Sequence, residues 1–108
     1  DDQIRETAEK LLRSPDRPDG VLAGSSRYGF YVLKAAAEMG RKVPKDLMVA
    51  SLGTSAFHDL CHPGMTAVEL PLYDMGRSGA ALLLDIMNDR PAQDIVLLPS
   101  EIVIRESL

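Results

Sequence analysis

This chain of 108 residues carries one cysteine, Cys61. A single thiol excludes an internal disulfide and makes a reducing cytoplasm the default compartment. Runs of basic residues are also missing: the twelve Lys and Arg are scattered, and sixteen Asp and Glu leave a net charge of -4. A nucleic-acid surface needs clustered cations to displace counterions from phosphates, so none is expected within these residues. No apolar stretch approaches the roughly 20 residues of a membrane-spanning helix, and no secretory leader is recognisable. Neither G-x-S-x-G nor G-x-x-x-x-G-K occurs, which removes the commonest signatures of an acyl-transfer nucleophile and of a phosphate loop. What is left, 45% apolar and 26% charged, is the composition of one small soluble domain.

Ile4, Ala8, Leu11 and Leu12 recur at helical spacing, behind acidic residues that favour a helix amino end. Pro15 and Pro18 stop that helix, and Pro18-Asp19-Gly20 turns into an apolar strand, Val21 to Gly24. Ser25 or Ser26 then caps a second helix, about Arg27 to Met39, which Gly40 ends. This helix is apolar on two faces. Tyr28, Tyr31, Val32, Ala35, Ala36 and Met39 form one stripe, while Phe30, Leu33 and Ala37 lie partly off it. Leu47 to Leu52 has no polar alternation in its first half, as expected of a parallel strand covered on both faces. A short helix is expected near Ala56–Cys61, and Met65 to Leu70 is extended. Pro71 opens a long helix with a core stripe of Met75, Gly79, Leu82, Leu83 and Ile86. Gly76 and Gly79 there imply a close backbone neighbour. Two strand-like pieces follow, Ile95 to Leu98 and Glu101 to Arg105. The order α-β-α-β-(α)-β-α-β-β reads as a three-layer α/β fold. A helical opening without a preceding strand reads as a piece of a larger domain.

Few residues could carry chemistry. His58-Asp59-Leu60-Cys61-His62 is the one cluster of metal-type side chains, but Pro63 follows at once and no further ligand set is in reach. The plainer reading is a surface or interface segment with Cys61 as a small buried hydrophobe, and no metal, cofactor or catalytic residue is expected. Ser25 and Ser26 lie between a strand and a helix, where hydroxyls and free N–H groups bind ligands at the carboxyl end of a sheet. Gly53 and Thr54 occupy the same place after the next strand. Arg105 and Glu106 read as solvated charges flanking an edge strand.

Five segments in register, PDGVLAGSSRYGFYVLKAAAEMG, VPKDLMVASLG, PGMTAVELP, DMGRSGAALLL and LLPSEIVIRES, resemble the effector-binding region of the LacI/GalR (lac repressor) family of transcription regulators. The resemblance implies a Rossmann-like αβα lobe of a type I periplasmic-binding-protein-like domain, mostly parallel and incomplete. Residues 1–108 would form part of that domain, about 1–64 in its second lobe and about 65–108 crossing back toward the first. It further implies a cytoplasmic homodimer that senses a sugar, sugar acid or phosphorylated metabolite, with operator DNA bound only through a separate helix-turn-helix headpiece.

Position by position, Ser25 and Ser26 stand where the family commonly has Asn-Asp, Gly53 where it usually has a ligand-binding Asp, and Leu70 where it has Gln. Thr54 and Leu72 complete the implied ligand wall. Loss of the carboxylate points to an anionic or less hydroxylated effector. The implied dimer surface comprises Phe30, Leu33, Phe57 and Cys61. A sugar-binding protein of a transport system shares the bilobed fold and is the alternative reading. An α/β enzyme using His58, Asp59 and Cys61 is a third, without a supporting motif.

Overall fold

The computed structural model describes residues 2–53 and 55–108. Its elements run α1 (Asp2–Arg13), β1 (Gly20–Ala23), α2 (Ser26–Glu38), β2 (Met48–Leu52), β3 (Thr66–Glu69), α3 (Leu72–Met87) and β4 (Glu101–Val103). The four strands form one sheet in the order β1-β2-β3-β4. β1, β2 and β3 are parallel, with Ala23 opposite Ser51 and Ser51 opposite Ala67. Chain contacts divide the molecule into two units, residues 1–69 with 102–108, and residues 70–101.

In the first unit, α2 packs on β1 and β2, and α1 packs on α2. Ala8 and Leu12 of α1, Val32, Leu33, Ala35 and Ala36 of α2, and Leu47, Val49 and Met65 make the core. Because α2 packs against both the sheet and α1, it needs apolar residues toward each. That accounts for the second apolar face and places Leu33 inside the core rather than on a subunit surface. Ser25 caps α2 from an extended backbone, its Oγ accepting from the Tyr28 N–H. Gly40, at φ +68, ends the helix where a side chain would be strained.

The strands depart from expectation on one point. β2 alternates: Val49 and Ser51 are fully buried, whereas Met48 and Leu52 are 43% and 41% exposed. Leu22, on the same face as Leu52, is 65% exposed. An apolar run reports what a face is suited to pack against, and here the described helices of this unit cover only the other face. The short helix expected near Ala56–Cys61 is a series of turns, in which Leu60 and Cys61 both donate to the Phe57 carbonyl.

The second unit holds α3, which begins one residue after Pro71, and the irregular segment that follows it. None of the described residues of α3 is buried, so its expected core stripe is uncovered. A Cβ built on Gly76 or Gly79 meets no heavy atom within 4 Å, which corrects the close approach inferred from their low helix propensity. Ile95 to Leu98 forms no strand.

Candidate functional site

β1 and β2 end side by side, and the chain leaves both into polar turns. Ser25 and Ser26 follow β1, and Gly53 follows β2. These three residues, with Arg27, Phe30, Leu52, Ser55 and Phe57, line one open cavity of about 470 Å³. Thr54 lies outside the described residues. Leu70 and Leu72 belong to the second unit, and both side chains are exposed. A second cavity of about 430 Å³ lies against α1, β1 and α2, but its wall is mainly apolar, from Ile4, Leu11, Val21 and Tyr28. It brings together none of the expected ligand-binding residues except through its edge near Gly24. The first cavity is therefore the candidate site.

Its polar wall is held from behind. The Ser26 hydroxyl lies 3.2 Å from the Gly53 carbonyl and 2.9 Å from His58 Nε2. Gly53 sits at φ +104, a conformation that suits glycine, and its N–H donates to Val68 at 2.9 Å. A Cβ there would meet Ser26 Oγ at an ordinary contact distance of 3.6 Å, so it is the φ of +104 that an aspartate at this position would strain. His58 is completely buried; its ring tilts against Phe30 at 5.9 Å, and its Nδ1 lies 3.6 Å from Glu69 Oε1. Phe30 meets Phe57 edge-on at 6.5 Å, and Phe57 is 63% exposed. Cys61 is half-buried, its thiol directed at the His58 and Pro63 carbonyls.

The carboxyl-terminal segment supports the same turn. Arg105 donates to Asp59 at 2.5 Å, to Glu69 at 2.8 Å and to the Met65 carbonyl at 3.2 Å. Glu106 accepts from the Gly64 N–H at 2.9 Å. These charges are therefore structural ties, not the solvated flank that their sequence context implied. None of these partners was legible, because Asp59 and Glu69, which pair with Arg105, and Gly64, which donates to Glu106, are dozens of residues away. The one available signal was that both charges interrupt an otherwise apolar ending, IVIRES. Among the described residues no group of three or more His, Cys, Asp or Glu is placed to hold a metal ion.

The hydrogen bond from Arg105 holds the Asp59 carboxyl below the usual carboxylate range; desolvation opposes it, and the Arg105 charge adds to it. A depressed carboxylate contributes stability above its ordinary range and loses it as pH falls through the folded value. Acidification below about pH 4 is thus expected to weaken the tie between the 55–64 turn and Arg105. Comparing urea midpoints of wild type and Asp59→Asn at pH 6 and pH 3 checks this. The gap between them should shrink at the lower pH, and a constant gap would refute it.

The periplasmic binding protein-like domain family matches residues 1–108, the whole chain. Catabolite control protein A of Priestia megaterium is 31% identical over 103 residues, covering 94% of this chain and 31% of that protein. The HTH-type transcriptional regulator CelR of Thermobifida fusca is 32% identical over 108 residues, covering 99% of this chain and 32% of its own length. Among solved structures, a LacI family transcriptional regulator from Bifidobacterium animalis subsp. lactis superposes with a TM-score of 0.92 at 25% identity, over 98% of this chain and 39% of that one. A complex of the regulator CelR with cellobiose gives 0.87 at 33% identity, over 98% of this chain and 33% of that one. The fold is therefore periplasmic-binding-protein-like. Within that class the chain belongs to the LacI/GalR family, as part of its effector-binding domain. It spans about a third of the length of the curated relatives it matches. Those relatives are transcription regulators. Among the described residues no helix is long and apolar enough to cross a membrane.

Proposed function

We propose that this chain is the effector-sensing and dimerisation region of a LacI-family regulator, without catalytic activity of its own. The observation that carries this reading is the convergence of Ser25, Ser26 and Gly53 on one concavity at the carboxyl ends of adjacent parallel strands. Open α/β sheets place their ligands in that crevice. The cellobiose complex of CelR, a protein similar over nearly the whole of this chain, supports a small hydroxylated effector. In this reading the second lobe takes in residues 1–69 and 102–108 and only residues 70–101 cross toward the first, a narrower crossing than the expected 65–108. Operator DNA is contacted through a headpiece and not by these acidic residues.

Thermal denaturation of the full-length protein against a panel of neutral disaccharides, sugar acids and sugar phosphates tests the sensing role. A ligand at a hundred times its Kd stabilises the folded state by about 2.7 kcal/mol, a shift easily read as a rise in Tm. No stabilisation by any member of such a panel, with the cavity residues intact, would count against the assignment.

The dimer surface centres on Phe57, supported by Phe30 and bordered by Leu60 and Cys61. Large exposed aromatics on a turn with few internal contacts are the type of side chain that anchors interfaces. A C₂ pairing would set each Phe57 near its own copy. Phe57→Asp is expected to raise the dimer dissociation constant at least about thirtyfold, the equivalent of ~2 kcal/mol. Sedimentation velocity at micromolar concentration reads this directly. A variant that stays fully dimeric there would remove the assignment.

A further inference from the structure

We propose that His58 is a positioning residue that holds the Ser26 hydroxyl as a hydrogen-bond acceptor toward the cavity, so that an effector must donate a proton there. This rests on the effector reading above and refines it. A serine hydroxyl has one proton and two lone pairs. Two internal acceptors stand ready for that proton, the Gly53 carbonyl at 3.2 Å and, when unprotonated, His58 Nε2 at 2.9 Å.

Every protonation state of the ring leads to the same result. His58 Nδ1 is buried, has no hydrogen-bond partner, and lies 3.6 Å from the Glu69 carboxylate, which can only accept. The neutral ring therefore favours its proton on Nδ1, and Nε2 then takes the serine proton. A ring protonated on both nitrogens donates from Nε2 to Ser26, and the serine donates to Gly53. A ring protonated on Nε2 alone would leave a lone pair facing Glu69, yet the serine proton would still go to Gly53. In each case the hydroxyl turns a lone pair to the cavity. Arg105, 2.8 Å from the same Glu69 oxygen, holds that carboxylate in place.

The consequence concerns ligand class. Ser26 disfavours a phosphate or carboxylate oxygen and favours a hydroxyl or amine. At the Ser26 position this runs against the anionic preference inferred from the missing aspartate, and Arg27 is the cationic group on the same wall. Leu52, exposed on the cavity wall, offers an apolar surface for the carbon face of such a ligand.

The first test needs no ligand. Long-range 1H–15N spectra of the full-length protein report the protonation of the His58 ring nitrogens, and Ser26→Ala should shift the Nε2 signal while leaving Nδ1 nearly unmoved. An Nε2 signal indifferent to Ser26→Ala would overturn the proposal whatever binds in the cavity. The second test is calorimetry with cellobiose, lactose, gluconate and inorganic phosphate. Wild type should favour a neutral sugar over both anions by at least about tenfold, the scale of one hydrogen bond. His58→Leu should weaken that preference, because only the more distant Gly53 carbonyl then takes the serine proton, and His58→Gln, whose amide can both donate and accept, should keep it. Tighter binding of gluconate or phosphate, lost in Ser26→Ala, would overturn the proposal. If none of the four probes binds, the sugar-sensing reading fails for these compounds, and the ring spectra alone decide the role of His58. Should His58→Leu not fold, His58→Gln and the spectra carry the test.

Discussion

Ser107→Ala is expected to cost about 2–4 kcal/mol, although it deletes a single oxygen atom next to the carboxyl terminus. Ser107 is fully buried. Its Oγ donates to the Val49 carbonyl at 2.5 Å and accepts from the Thr66 N–H at 2.8 Å, so it bridges β2 and the start of β3. Its backbone adds two more ties, accepting from Val49 N–H at 2.9 Å and donating to the Gly64 carbonyl at 3.0 Å. Alanine would leave one sheet donor and one sheet acceptor buried without this partner, each costing roughly 1–3 kcal/mol. At the roughly 2–4 °C per kcal/mol of a domain of about 150–250 residues, that corresponds to a fall in Tm of roughly 4–16 °C. Reversible thermal unfolding of the intact protein measures it, and a loss below about 0.5 kcal/mol would show that water replaces the hydroxyl without penalty. Because the same segment carries Arg105, the damage should reach the 55–64 turn. Phe57 and His58 sit on that turn, so Ser107→Ala should also weaken dimerisation.

The contrast between Ser107 and Ser25 shows what the sequence could disclose. Ser25 was readable because its role is local: a hydroxyl before an amphipathic run caps the helix that follows. The strands β1 and β2, the long helices α1 and α2 and the turn at Gly40 were readable for the same reason, being set by periodicity and by residues within one turn of chain. Ser107, Arg105 and Glu106 act on partners about forty residues or more away, and nothing near them announces it. Leu33 marks another limit. Its position off the main stripe of α2 fits a partner subunit and fits α1 equally well, and only the packing of α1 on α2 decides. For α3 the pattern describes a stripe suited to burial, while in this chain Leu83 and Ile86 remain exposed. Ser25, Ser26 and Gly53 came together because parallel strands align their carboxyl ends. His58 escaped notice as a pocket element, since a histidine beside Asp, Cys and His reads first as metal chemistry.

Gly29→Val should prove comparably damaging, by about 2–4 kcal/mol, for a reason that helix propensity would predict with the opposite sign. Gly29 lies in the second turn of α2, where replacing glycine by alanine ordinarily stabilises by up to ~1 kcal/mol. Here a Cβ would lie 2.5 Å from Met65 Sδ, 3.1 Å from Met65 Cε and 3.3 Å from Ser51 Cβ. Methionine is adaptable, but Met65 is fully buried, so its thioether can yield only by shifting against its core neighbours. The alternative to strain is a lift of α2 off β2 at its amino end. Ser25 and Ser26 ride on that end, so the lift would stretch the Ser26 hydroxyl from Gly53 and His58 and open the polar wall of the cavity. Gly29→Ala should thus be destabilising by about 1 kcal/mol net, propensity offsetting part of the overpacking, with the β-branched valine worse. Chemical denaturation of both variants gives the order. Met65→Ala introduced into Gly29→Val should recover part of the loss by making room, a non-additivity expected only of side chains in contact. If Gly29→Ala instead stabilises the protein, the close seating of α2 on β2 is wrong, and with it the geometry that fixes the hydroxyl of Ser26.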